Sequence, residues 1–273
     1  MRHDAHAAEL WRYPMKSCAG LALASAEVDA HGIRHDRRWM AVDETGRFVT
    51  GRQVGAIVRV RALPVDGGLR LEAPEMAALF VPTPSPDAPR IESTVWNDTV
   101  NAACAGDAAD AWLSAALGRD VRLVHFDARS RRAVDPNYAH VGDEVGFADG
   151  YPLLAISQAA LDALNDRLAE AGAAPMTMAR FRPNLVIAGV AAHAEDAWRR
   201  VRIGEIEFDA VKPCTRCVFT TVDPDTGERD ADGEPLRTLK DYRRTPSGIT
   251  FGMNLIPRGT GTLRVGDAVV PLD

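Results

Sequence analysis

Apolar and polar positions alternate with a period of two through much of the first third of the chain. In RWMAVDETGRFVTGR the alternation runs on both sides of Glu44-Thr45-Gly46, which predicts a hairpin. VRVRALPVDGGLRLEAP repeats the pattern around Asp66-Gly67-Gly68. PTPSPDAPR, Pro82 to Arg90, is too rich in proline for a helix and reads as an exposed loop.

A helical period takes over in two stretches. GDAADAWLSAALGRD predicts a helix capped by Asp107 and stopped by Gly118, with Trp112, Leu113, Ala116 and Leu117 on one face. SQAALDALNDRLAEAG places Leu161, Leu164 and Leu168 at helical spacing between Ser157 and Gly172. Between them HFDARSRRAVDPNYAHVGDEV is polar and unperiodic, either a mobile segment or the junction of two lobes. The last third returns to strands: NLVIAGV reads as a buried strand, VRIGEIEF as a hairpin, and TLRVGDAVVPL as a closing hairpin around Gly266-Asp267. Strands outnumber helices and do not alternate with them regularly. The expected fold is therefore α+β, mainly β, and barrel-like rather than doubly wound.

Composition narrows the function classes. The 273 residues are 46% hydrophobic and 26% charged, ordinary for a globular protein with a sizeable core. A net charge of -6 argues against general nucleic-acid binding, which needs excess Lys and Arg. The opening MRHDAHAAELWRYP has no apolar run of signal-peptide length, and no stretch reaches the roughly eighteen apolar residues of a membrane span. The expectation is a soluble cytoplasmic protein without a membrane partner.

Four cysteines, Cys18, Cys104, Cys214 and Cys217, do not make a disulfide framework. Two of them form C-x-x-C within VKPCTRCVFTTVDPDTG. A structural zinc site needs further ligands, and the nearest histidine in sequence is His193. Iron-sulfur spacing is absent. A redox dithiol wants its first cysteine at a helix N-terminus, whereas VFTTVD is β-branched and strand-like. Zinc and the dithiol stay open as the lesser readings, beside a pair of small buried side chains and one thiolate on a soft or redox-active metal whose other ligands come from a cofactor.

Reading outward from this pair, the chain resembles the MOSC proteins, named after the C-terminal domain of molybdenum-cofactor sulfurase. It is most similar to the two-part members related to the mitochondrial amidoxime-reducing component. The resemblance covers nearly the whole chain in order: YPMKSCAG, GIRHDRRWMAVDETG, FADGYPLLAIS, FRPNLVIAG, CTRCVFTTVDPDTG and FGMNLIPRGTGTLRVGD. It implies a MOSC N-terminal β-rich domain over 1–124 and a MOSC β-barrel over 125–273, with the cofactor pocket at their junction.

The resemblance also implies roles. Cys217 is the protein's sulfur ligand to molybdenum, and Cys214 is not a ligand. The cofactor is a molybdenum-molybdopterin whose phosphate lies among Lys16, Ser17, Arg37, Arg182, Asn184, Thr215 and Arg216. Asp149, Gly150 and Tyr151 match a loop near pterin and metal, and Asn254 matches a position held by tyrosine in the amidoxime reducers. Arginine's planar fork and lysine's compact charge suit phosphate oxygens. Taken singly, each has an ordinary explanation: Lys16, Arg37 and Arg216 as surface charges, Arg182 and Asn184 as the closure of a strand, Asp149 as a turn former. Arg129, Arg131 and Arg132 lie outside the resembling blocks.

The implied activity is reduction of N-hydroxylated compounds (amidoximes, hydroxylamines, hydroxylated bases), with Asp149 as proton donor or orienting group. No iron-sulfur cluster is expected in this chain, so electrons come from a separate protein, ferredoxin-like, flavoprotein or cytochrome b5-like. The alternative is a carrier of sulfur or cofactor without reductase activity, in which neighbouring Arg216 favours the Cys217 thiolate.

Overall fold

A computed structural model describes residues 5–272. The chain is mainly β, and its largest sheet runs Val269–Pro271, Arg200–Ile203, Ile206–Thr215, Gly248–Pro257, Leu153–Ser157, Leu185–Ala188, His6–Arg12 and Leu21–Leu23, with Arg244–Thr245 paired beside Gly248–Pro257. Leu153–Ser157 and Leu185–Ala188 pair in parallel, which requires a crossover; the helix Gln158–Glu170 supplies it. Leu161, Leu164 and Leu168 are buried on that helix, as their spacing predicts. A second sheet orders Trp39–Val42, Arg122–His125, Asp98–Cys104 and Arg90–Val95.

The sheets draw on both ends of the chain. The first strand, His6–Arg12, lies against Leu185–Ala188, and Gly261–Arg264 pairs with Ser25–Asp29. One core accordingly gathers Leu10, Val28, Ile33, Leu153, Phe208, Leu255 and Leu263 from early and late strands. A separate core packs Leu69, Leu71, Leu113 and Leu123 under the helix Asp107–Leu117.

Several local expectations hold and several change. The Asp66-Gly67 turn joins Arg61–Val65 to Gly68–Glu72 in register. The turn after Val42 is closed by Asp43, whose carboxylate accepts from Thr45 N and Arg47 N, but its return arm pairs only at Val42 and Phe48. Gly106 occupies the cap position of Asp107–Leu117, so Asp107 is instead the first helical residue, where its charge suits the positive helix end. Gly118 ends that helix in the left-handed conformation, as expected.

TLRVGDAVVPL does not form a closing hairpin. Its arms Gly261–Arg264 and Val269–Pro271 join different sheets because the first strand comes between them: Ala7 N donates to Asp267 O, and Gly266 N donates to Ala7 O. VFTTVD is not a strand either. Val218–Thr221 is a single 3-10 turn, in which the hydroxyls of Thr220 and Thr221 donate to carbonyls three residues back. A third helix, Leu236–Tyr242, is too short to stand out in the pattern; the Glu234 carboxylate caps it by accepting from Thr238 N at 3.0 Å.

Glycines fix how early and late segments meet beside this 3-10 turn. A Cβ on Gly51 would fall 2.0 Å from the Phe219 ring, and one on Gly55 would fall 2.0 Å from Gly227 O. The backbone of residues 51–55 thus lies flat against 217–227. Gly55→Ala should cost about 1–3 kcal/mol of stability, because backbone rather than a flexible side chain opposes the added methyl. Urea denaturation of the parent and variant measures the difference.

Candidate active site

The site begins with a tyrosine between two arginines. Tyr13 is buried, and the guanidinium carbons of Arg37 and Arg182 lie 4.3 and 4.2 Å from its ring centroid. Both arginines have positive φ, 45° and 56°, as does Ser17 at 68°, an uncommon conformation for such residues that concentrates at functional positions. Backbone pairing ties the segment of Tyr13 and Lys16 to that of Arg37 and Trp39: Arg37 N donates to Tyr13 O at 2.7 Å, and Lys16 N to Trp39 O at 2.8 Å. The YPMKS and DRRW blocks are thereby one structural unit.

Arg37 donates to Asn184 Oδ1 at 2.9 Å and to Arg182 O at 3.1 Å. Asn184 is buried and also accepts from Leu154 N while donating to Trp11 O, so it does close off its strand, and it holds Arg37 as well. Arg182 donates to Cys18 O at 2.6 Å, yet its Nη2 is buried without a partner. Arg216 donates to Phe181 O at 2.6 Å and leaves its Nε similarly unpartnered. Burial pulls the Arg182 pKa down to about 10. Buried donors on charged groups without acceptors are costly, and they mark a place where an anion would sit.

The opposite wall is a carboxylate held by cations. Lys16, only 5% exposed, donates to Phe147 O at 2.7 Å and to Asp149 Oδ1 at 2.6 Å. It is not a surface charge. Burial lowers its pKa to about 8 against the opposing pull of Asp149. Burial would raise the Asp149 pKa, but Lys16 and then Arg52 outweigh it and hold the carboxylate well below the usual range. Arg132 fixes the loop carrying Asp149 by donating to the carbonyls of Gly146, Ala148 and Asp149. The polar stretch around it is thus tied down by hydrogen bonds.

Cys217 stands at the start of the 3-10 turn, with Arg52 Nε 3.3 Å from its Sγ. Cys214, two positions before Arg216, packs toward the core that contains Phe181 and Leu239. Arg216 Nη1 donates to Cys214 Sγ at 2.9 Å, so the cation expected to face Cys217 serves its neighbour, and Arg52 takes that place. Arg216 N pairs with Ile249 O, and its guanidinium is taken up by Cys214 Sγ and Phe181 O. All four cysteines are free thiols.

These groups line one cleft of about 750 Å³. Lys16, Ser17, Arg37, Asp149, Gly150, Tyr151, Arg182, Asn184, Thr215, Arg216, Cys217 and Asn254 are all on its wall. Asn254 donates to Lys212 O across the strand pair, and Tyr151 stacks edge-on with Tyr138. A Cβ on Gly150 would meet nothing within 4 Å, so packing does not require glycine there and its surface is open. Eight cations against three carboxylates line the cleft of a chain whose net charge is -6.

Sequence reasoning missed Arg52, Arg132 and Trp96. Arg52 follows a hairpin and Arg132 lies in the unperiodic stretch; neither belongs to a local motif. The glycines at 51 and 55 were the available signal for Arg52, since they mark a close backbone approach.

The residues fit an anionic cofactor carrying a metal. Unpartnered buried guanidinium donors await an anion, and Cys217 offers one sulfur to the cleft. Among the described residues no group of three or more His, Cys, Asp or Glu could hold a metal.

Comparison with known proteins places this architecture. Residues 5–120 match the MOSC N-terminal beta barrel domain, and residues 142–270 the MOSC domain. Mitochondrial amidoxime-reducing component 1 of Mus musculus is 39% identical over 96% of this chain and 81% of its own length. The Homo sapiens component 1 is 36% identical, and the Bos taurus component 2 is 35% identical, each over the same shares. The chain belongs to the MOSC proteins of the amidoxime-reducing component family. Among its described residues no helix is long and apolar enough to cross a membrane.

The buried ammonium yields a pH prediction. Lys16 has a folded pKa of about 8 against an ordinary 10.5, so folding carries the full cost of its charge below pH 8. That cost shrinks as pH rises from 8 to 10.5, where the unfolded chain binds the proton and the folded chain does not. Without cofactor, Lys16→Met should be no less stable than the parent at pH 7, and its advantage should narrow toward pH 10. Denaturation curves across this range check the sign.

Proposed function

We propose that this chain is a molybdenum-cofactor-dependent reductase of N-hydroxylated compounds: amidoximes, hydroxylamines and hydroxylated bases. The observation that carries the reading is the half-buried Cys217 thiol, paired with Arg52 on the wall of a cleft that also holds buried, unpartnered guanidinium donors. The names of the relatives, amidoxime-reducing components, support the substrate class. In the net reaction the N–O bond breaks, the nitrogen takes up two electrons and a proton in its place, and the oxygen leaves as water with a second proton. Electrons come from a separate ferredoxin-like, flavoprotein or cytochrome b5-like donor, in a reducing cytoplasmic compartment.

Cys217 would hold the molybdenum, and Lys16, Arg37, Arg182 and Arg216 the cofactor's phosphate. Ser17, Asn184, Thr215, Gly150, Tyr151 and Asn254 shape the rest of its bed, so both parts of the chain, 1–124 and 125–273, contribute. The cofactor, when bound, supplies the two-electron chemistry. Asp149 acts as the orienting group of the two roles open to it: Lys16 and Arg52 keep it ionised, which suits it to position those cations rather than to donate a proton. Arg52 positions the Cys217 sulfur by donating to it.

A sulfur carrier would use the thiol but has no need for the buried cationic floor. Protein from a host that makes the cofactor should contain stoichiometric molybdenum. Cys217→Ala should lower hydroxylamine reduction by at least about 100-fold, a loss of roughly 2.7 kcal/mol in transition-state stabilisation, while Cys214→Ala keeps most activity. Equal loss in both variants would favour a dithiol, and sulfane sulfur without metal would favour the carrier.

A further inference from the structure

Trp96 stands at the mouth of the same cleft, and the reading above gives it no task. It sits in the two-residue turn between Arg90–Val95 and Asp98–Cys104, with φ of 57°. Asparagine or glycine is the ordinary occupant of a left-handed hairpin position; a bulky aromatic there is a true outlier. The ring is nevertheless 42% exposed, so it is not held there to fill a core.

Its surroundings fix its orientation. Phe48, itself buried, lies 5.3 Å from it between ring centroids. The Arg52 guanidinium stacks 4.3 Å from its centroid, and its indole N–H donates to Asp149 Oδ1 at 3.4 Å. Arg52 in turn touches Cys217 Sγ, so only one side chain separates the exposed ring from the reactive sulfur. A rigid aromatic surface anchored on charged groups and opening into a cleft is suited to stack on a flat ligand.

Resting on the N-reductive reading, we propose that Trp96 is a specificity-determining residue, an aromatic wall that selects planar ring-bearing substrates over aliphatic ones carrying the same N–O group. The bond broken and the electrons consumed are the same in the two classes, and the wall acts on binding. The selection therefore falls mainly on KM.

Benzamidoxime and acetamidoxime share their reacting group and differ by phenyl against methyl. With cofactor-loaded protein and an artificial electron donor, the parent should prefer benzamidoxime. Trp96→Asn, which suits the positive φ, should cut that preference about tenfold through a higher KM for benzamidoxime, and Trp96→Phe should restore it. Calorimetry with benzamide and acetamide, which have no N–O bond, should show the same loss and rescue without turnover. An unchanged preference in a folded Trp96→Asn overturns the proposal. So does an equal loss for both substrates that occurs only with a donor protein, which would make the ring part of a docking surface. If the parent reduces neither oxime but still discriminates benzamide through Trp96, the reductase reading fails and the wall stands.

Discussion

Positive charge held out of water around Tyr13 is the constraint on which the rest of the site depends. Arg37 and Arg182 face the same ring from distances near 4 Å, and Arg182 and Arg216 keep donors that no protein group accepts. Burying such charges opposes folding unless an acceptor meets them. The fold accommodates them by spending backbone order elsewhere: three residues at positive φ, and Asn184 bridging strands so that Arg37 has one position. The anionic cofactor proposed above would meet these open donors and offset that cost.

The second half of the site is the environment of a single sulfur. Flat packing of residues 51–55 against 217–227 brings an arginine from the early part of the chain to a cysteine from the late part. That same arginine reaches Asp149, which Lys16 holds from the other side. Charge thus alternates along the wall from lysine to aspartate to arginine to thiol, and each group fixes the next. Although only three residues apart and both on the cleft wall, the two cysteines have different partners: Cys214 is engaged by Arg216 beside the core, and Cys217 by Arg52.

Much of the architecture was legible because it is local. The leucines of Gln158–Glu170 and the Asp66-Gly67 turn each follow from a pattern within a few residues. Where neighbours distant in sequence decide, the pattern misled. TLRVGDAVVPL has the composition of a hairpin, but the first strand separates its arms. VFTTVD has β-branched residues, yet its threonine hydroxyls satisfy a tight turn instead. The site shows the same division. Residues within recognisable blocks could be assembled from sequence, whereas Arg52, Arg132 and Trp96 act through contacts with residues far along the chain.

The central claim is that the Cys217 sulfur binds the metal of a cofactor anchored on this cationic floor. X-ray absorption at the molybdenum edge of the loaded protein tests it most directly. The account predicts that Cys217→Ser removes one sulfur neighbour from the metal or removes the metal altogether, and that Cys214→Ser leaves the spectrum unchanged. A sulfur shell that survives intact in Cys217→Ser, or that changes only in Cys214→Ser, would contradict it.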